Sequence, residues 1–188
     1  MEENLTIWTI GHSTRTLEKL EELLKRNEVD HLVDVRSIPR SRMHPQFNKE
    51  ALPESLATFD IRYTHLFSLG GRRGVIKEMQ PSQNTGWKLP AFRNYADYAL
   101  TEPFEEGLRE LLQIAKDSHT AIMCSEAVWW RCHRRIITDH LLARGVHVLH
   151  IMSPTSTVEA ELTEFAVLTP EKQVSYPGEQ LELEMKNV

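Results

Sequence analysis

The apolar run Leu5-Thr6-Ile7-Trp8-Thr9-Ile10 predicts a buried strand, and Gly11-His12-Ser13-Thr14 predicts a turn ending in helix-capping side chains. Leu17, Leu20, Leu23 and Leu24 then recur at helical spacing, which places a helix from about Thr16 to Asn27. His31 to Arg36 predicts a second strand, so strand, helix and strand follow one another within about 30 residues as a βαβ unit. Pro39 and Pro45 mark a loop, Asn48 is placed to cap a short helix through about Phe59, and Ile61 to Leu66 predicts a third strand. Two such crossovers imply a parallel sheet.

From Ser68 to Arg93 periodicity is lost among Gly70, Gly71, Gly74, Pro81, Gly86 and Pro90, which predicts a long surface loop. Phe104, Leu108, Leu111, Leu112 and Ala115 share one face of a helix over Leu100 to Lys116, with Thr101 as its cap before Pro103. Thr120 to Cys124 is a strand. Ile136, Ile137, His140, Leu141 and Arg144 mark a helix that stops near Gly145, and Val146 to Met152 is the last strand. Beyond it a short helix is expected over Val158 to Val167, then an extended end. The fold class is therefore α/β: a single domain over residues 1–153 with a mainly parallel sheet flanked by helices in Rossmann-like layers, followed by an acidic extension over residues 154–188.

A length of 188 residues suits one domain, and 40% hydrophobic with 26% charged residues is an ordinary globular composition. No apolar stretch reaches the roughly 18 residues that cross a bilayer, and Glu2 and Glu3 stand where an export signal carries positive charge. No membrane partner is expected. Two cysteines cannot build a disulfide framework, which fits a reducing cytoplasm. The net charge of −5 is carried entirely by the stretch after Pro154, with seven acids against two lysines. On the neutral remainder, arginines gather as Arg36, Arg40 and Arg42, as Arg72 and Arg73, and as Arg131, Arg134 and Arg135. Such clusters can form a positive pocket, although any one arginine more often covers apolar neighbours with its stem.

Ligands of open parallel sheets bind beyond the carboxyl ends of the strands. His12 and Ser13 follow the first strand, Arg36 and Arg40 the second, Gly70, Gly71 and Arg72 the third, and Cys124, Glu126 and Arg131 the fourth. The glycine pattern lacks both dinucleotide and P-loop signatures. Cys124, between a strand and an arginine-bearing helix, is the candidate nucleophile, because cationic neighbours and helix amides stabilise a thiolate. The alternative is a small apolar residue closing a buried strand. The spacing to Arg131 is one position longer than a phosphatase loop uses. Cys124, Cys132 and His133 are also possible ligands for zinc or iron, but Cys132 and His133 are adjacent and would diverge by about 100 degrees on a helix. His140 is expected to be a satisfied core residue. Asp34, inside a strand, is expected to hydrogen-bond structurally, whereas Arg36 at its end can grip an anion at two points. Trp87, Trp129 and Trp130 either stack on a base or close the core beneath the loops.

Several ordered motifs resemble the bacterial and archaeal family called domain of unknown function 488. They are Thr9-Ile10-Gly11-His12-Ser13, Leu32 through Ser41, Phe47-Asn48, Leu69-Gly70-Gly71-Arg72, Tyr95-Ala96-Asp97-Tyr98, Cys124-Ser125-Glu126 and Arg131-Cys132-His133-Arg134, spread from about Thr6 to Ile151. The resemblance implies an α/β domain in which these motifs surround a shared site, including His12, Ser13, Asp34, Arg36, Arg40, Gly70, Gly71, Cys124, Glu126, Cys132, His133 and Arg134.

These readings lead to an enzyme or enzyme-like protein binding a phosphate-bearing ligand, a nucleotide or a nucleic-acid end. Arginines would hold the anion, His12 or His133 would move a proton, Cys124 would attack, and Glu126 would be the base of a non-covalent reaction. The alternatives are a nucleic-acid-binding module without turnover, marked by a steep salt dependence, and a metal-dependent enzyme with Cys and His ligands.

Overall fold

Two layers of helices cover both faces of one sheet, which explains why its central strands are buried along most of their length. The computed structural model describes residues 5–178. The first half runs β1 (Thr6–Gly11), α1 (Leu17–Arg26), β2 (His31–Asp34), α2 (Leu52–Ala57) and β3 (Arg62–His65). The second runs α3 (Pro90–Tyr98), α4 (Glu102–Lys116), β4 (Thr120–Cys124), α5 (Arg134–Leu142), β5 (His147–Ser153) and β6 (Ser156–Glu159). A separate hairpin pairs β7 (Val167–Leu168) with β8 (Val174–Ser175).

The sheet order is β3-β2-β4-β1-β5-β6, and every pair is parallel except β5 with β6. Along each strand, alternate residues serve opposite layers. Ile10, Leu32, Met123 and Ile151 meet Leu20, Leu23 and Leu24 of α1 and Leu52 and Leu56 of α2. Ile7, Val33, Ile122 and Val148 meet Leu108 and Leu111 of α4 and Ile136, Ile137 and Leu141 of α5. Thr16 caps α1 by accepting a hydrogen bond from the Lys19 amide at 3.2 Å.

β1 and β4 are neighbours, but their connections leave in opposite directions. β1 crosses β4 to reach β2, and β4 crosses β1 to reach β5. The loops that follow them diverge and open a crevice at this switch point. The two chains stay side by side one step beyond the strands, with His12 N donating to Cys124 O at 2.9 Å and Ser13 N donating to Ser125 O at 3.0 Å. Close approach there requires Gly11, since a Cβ would lie 1.8 Å from the Glu126 carbonyl oxygen.

Several local expectations fail for identifiable reasons. The end of the expected surface loop is already the first turn of α3, which Pro90 opens, and the preceding segment is clamped by hydrogen bonds. Buried Asp97 accepts from Ser82 Oγ at 2.5 Å and from Asn84 Nδ2 at 2.8 Å, and Asn84 Oδ1 accepts from the Tyr176 amide at 2.9 Å. Trp87 closes the core against Phe92, Phe165 and Tyr176. No helix forms over Val158 to Val167, because the chain there leaves the edge strand β6 and heads for the β7–β8 hairpin. Ala160, Val174 and Tyr176 are buried in the same core as the preceding residues, while Glu179, Glu182 and Glu184 lie outside the described residues. Asn48 accepts from the Ser41 amide instead of capping α2, while Thr101 stands at the N-cap of α4 as expected, with its hydroxyl donating to Tyr98 O rather than accepting from a helix amide. No described helix is long and apolar enough to cross a membrane.

His140 is buried but not satisfied. Neither ring nitrogen has a partner among the described residues, and the ring packs edge-on against Phe104 at 4.9 Å. His150 gains one bond, from Nδ1 to Thr9 Oγ1 at 2.7 Å, and stacks on Trp129 at 4.4 Å. Burial, reinforced by Arg144 near the first and Arg134 near the second, lowers both to about 3. Both rings are therefore neutral when folded and take up protons on unfolding below their ordinary value near 6.5, so stability falls as pH drops through this window. Thermal denaturation from about pH 7 to pH 5 should show a falling midpoint, and His140→Leu should flatten that slope.

Candidate active site

The crevice between the diverging loops is a cavity of about 650 Å³ at the carboxyl edge of the sheet. Of the residues expected at the site, it is lined by His12, Ser13, Arg36, Arg40, Gly71, Arg72, Cys124, Glu126, Arg131, Cys132 and His133. Asp34, Gly70 and Arg134 do not line it and instead support residues that do.

Asp34 is fully buried and fixes Arg36. Arg36 Nε donates to Asp34 Oδ1 at 2.9 Å and Nη2 to Oδ2 at 2.6 Å, and the Tyr63 hydroxyl donates to Oδ2 at 2.7 Å. Arg36 also donates from Nη2 to Phe47 O at 2.6 Å and from Nη1 to His12 Nε2 at 3.1 Å. Four of its N–H groups are therefore held inside the fold, and the two-point grip expected for an anion is closed on Asp34 instead. His12 donates from Nδ1 to Ser13 O at 2.9 Å and stacks on Phe47 at 4.3 Å. Burial, with the Arg36 charge beside it, lowers His12 to about 4 despite that backbone bond. Its ring is neutral at pH 7 and both nitrogens are engaged, so it is not poised to transfer a proton.

At the opposite wall, Cys124 Sγ and Cys132 Sγ are 2.6 Å apart, both free and both buried. Cys132 has extended backbone with φ −129° and ψ 150°, and His133 caps α5, so neither lies within the helix. The divergence expected of adjacent helical residues does not arise, and both side chains reach the cavity. His133 Nε2 donates to Val35 O at 2.8 Å, which turns Nδ1 toward Cys132 Sγ at 3.5 Å. Gly71 makes room for this ring, since a Cβ would come within 2.4 Å of Nδ1. Gly70 packs on Ser37.

Arg134, only 1% exposed, lies beneath the sulfurs. Its Nε donates to Cys124 Sγ at 3.1 Å and to Cys132 Sγ at 3.5 Å, Nη1 to Thr9 Oγ1 at 3.2 Å and Nη2 to Glu126 O at 2.6 Å. Its backbone amide, at the start of α5, points at Cys132 Sγ at 3.5 Å. Burial pushes the Cys124 thiol up, and its hydrogen bond to Cys132 pushes it further. Burial also opposes ionisation of Cys132, but the Cys124 thiol, His133 and Arg134 together hold it well below the ordinary thiol range. Of the two, Cys132 is the sulfur whose surroundings favour the thiolate, and either sulfur can donate across the contact between them. Glu126 contributes its carbonyl to Arg134, while its side chain is exposed at the cavity.

Among the described residues, no group of three or more His, Cys, Asp or Glu side chains is placed to hold a metal. Tyr95, Phe92 and His44 are lining residues that the strand-end argument missed. Tyr95 packs edge-on against His133 at 5.1 Å and donates to Leu69 O at 2.7 Å. Its signal was present in the Tyr95-Ala96-Asp97-Tyr98 motif, which lies between the expected loop and the next expected helix.

Fold and site define an α/β domain with a thiol pair set in an arginine-lined crevice at the switch point of its sheet. The family described as domain of unknown function DUF488 matches residues 16–141, about two thirds of the chain, and the chain belongs to that family. The matched span holds both cysteines, His133 and Arg134, whereas His12 and Ser13 precede it. No curated protein and no solved structure matches the chain.

Removing Arg36 would leave Asp34 as an uncompensated buried charge. Arg36→Met should therefore lower unfolding free energy by about 3 to 5 kcal/mol, read by urea denaturation.

Proposed function

We propose that this protein is an enzyme that binds a phosphate-bearing ligand, a nucleotide or a nucleic-acid end, in the crevice and presents the Cys132 thiolate to it. The observation that carries this reading is the charge of the lining. Arg36, Arg40, Arg72 and Arg131 face the cavity against the single carboxylate of Glu126. Arg36 is committed to Asp34 and Arg40 pairs with Glu50 at 2.7 Å, which leaves Arg72 and Arg131 as exposed guanidiniums with no side-chain partner among the described residues. These two are the anion ligands of this reading, since a guanidinium matches phosphate at two points.

Within it, His133 takes the role of proton acceptor, because its Nδ1 faces the Cys132 sulfur while Nε2 is anchored on Val35. His12 positions Arg36. The same reading assigns the protein to the cytoplasm, where the thiols stay reduced.

Titration calorimetry with inorganic phosphate and a panel of nucleotides tests the reading. Arg72→Gln and Arg131→Gln should each weaken the bound phosphate compound by about 10- to 100-fold, as expected for a charge-assisted contact. A compact site gives a shallow dependence on salt, whereas an extended nucleic-acid track gives a steep one. Unchanged affinity in both variants, or no binding by any phosphate compound, would overturn it.

A further inference from the structure

The reading above uses one thiol as a nucleophile and leaves the second without a task. Cys124 is more than a buried filler. It sits at the end of β4 on the cavity wall, with its sulfur in direct contact with that of Cys132. The surroundings of the pair are asymmetric. Cys132 receives the Arg134 amide at the start of α5 and has the His133 ring as neighbour. Cys124 has the Arg134 guanidinium on one side and directs its S–H toward the Glu126 carbonyl, 3.9 Å away, or toward Cys132. One sulfur is thus equipped to attack and the other to follow.

We propose that Cys124 and Cys132 form a two-electron dithiol centre that reduces a small disulfide reaching them through the crevice. The Cys132 thiolate attacks one sulfur of the disulfide RSSR. The Cys132–S–SR bond forms, the S–S bond of the ligand breaks, and RS⁻ leaves. The departed RS⁻ takes the Cys124 proton and becomes RSH, the Cys124 sulfur attacks the Cys132 sulfur of that mixed disulfide, and a second RS⁻ leaves as the Cys124–Cys132 bond forms. Two protein thiols have lost two electrons to one disulfide, which has become two thiols. An excess of low-molecular-weight thiol runs the exchange backward and restores the dithiol. Arg134 stabilises the anionic sulfur at each stage, because it touches both positions. Small disulfides fit the access: both sulfurs are only 2 to 3% exposed as residues, which favours a slender linear group over a protein surface.

The inference does not rest on phosphate binding, and its test uses an uncharged probe so that the two fail separately. Reduced full-length protein is mixed at neutral pH with 2-hydroxyethyl disulfide and followed by intact mass and peptide mapping. The wild type should lose two hydrogens, carry no adduct, and yield a peptide cross-linked between Cys124 and Cys132. Cys124→Ser should stop at one stable mixed disulfide on Cys132. Cys132→Ser should react at least ten-fold more slowly, with circular dichroism confirming that both variants are folded. A wild type that accumulates adducts without the internal cross-link, or that does not react, overturns the proposal without reference to any variant. So does Cys132→Ser reacting as fast as the wild type.

Discussion

Arg134 carries a guanidinium into a place where almost none of it meets water, and no carboxylate among the described residues forms an ion pair with it. Desolvating such a charge costs several kcal/mol unless an opposite charge and hydrogen bonds offset it. Thr9 and the Glu126 carbonyl supply hydrogen bonds, but among the described residues the only groups in contact that can supply negative charge are the two sulfurs. Burial works against the arginine's charge, and the sulfurs outweigh it, holding its pKa above the ordinary guanidinium value. A buried guanidinium–thiolate pair follows from this constraint. So does the rest of the wall: Glu126 must turn its carbonyl inward, Gly11 must lack a side chain to let it, and α5 must begin where its first amide meets Cys132.

A second buried pair, Asp34 with Arg36, stands opposite and has the reverse logic. There the carboxylate is present, two-point geometry is complete, and the residual N–H groups fix His12 and Phe47. One wall is therefore electrically closed and rigid. The other holds a cation whose counter-charge is chemically reactive. The pleat sends Asp34, like its register partner Met123, toward one helical layer and Cys124 toward the other, at the same edge of the sheet.

The five parallel strands were legible, the central ones because burial on both faces leaves mostly apolar runs, and β4 matches its expected span residue for residue; β6, exposed along its length, was not. α3 was not, since its buried residues Tyr95, Ala96, Asp97 and Tyr98 are consecutive and form no stripe at helical spacing. At the site, residue types were legible from their position after strands, but their partners were not. Arg36 reads as a free anion ligand until the fold brings Asp34 and Phe47 against it. Cys132 and His133 read as divergent until one extended residue redirects both. Asp34 is the case where burial inside a strand did announce a structural role in advance.

Neutralisation of Arg134 by a thiolate has a direct spectroscopic signature. The most direct measurement is the ultraviolet absorbance of thiolate in the folded, reduced protein as pH is varied, for the wild type and Cys132→Ser. One thiolate per chain is expected at pH 7, persisting well below the ordinary thiol value near 8.5 and absent from Cys132→Ser at the same pH. Two thiols that both ionise only at or above that ordinary value would contradict it.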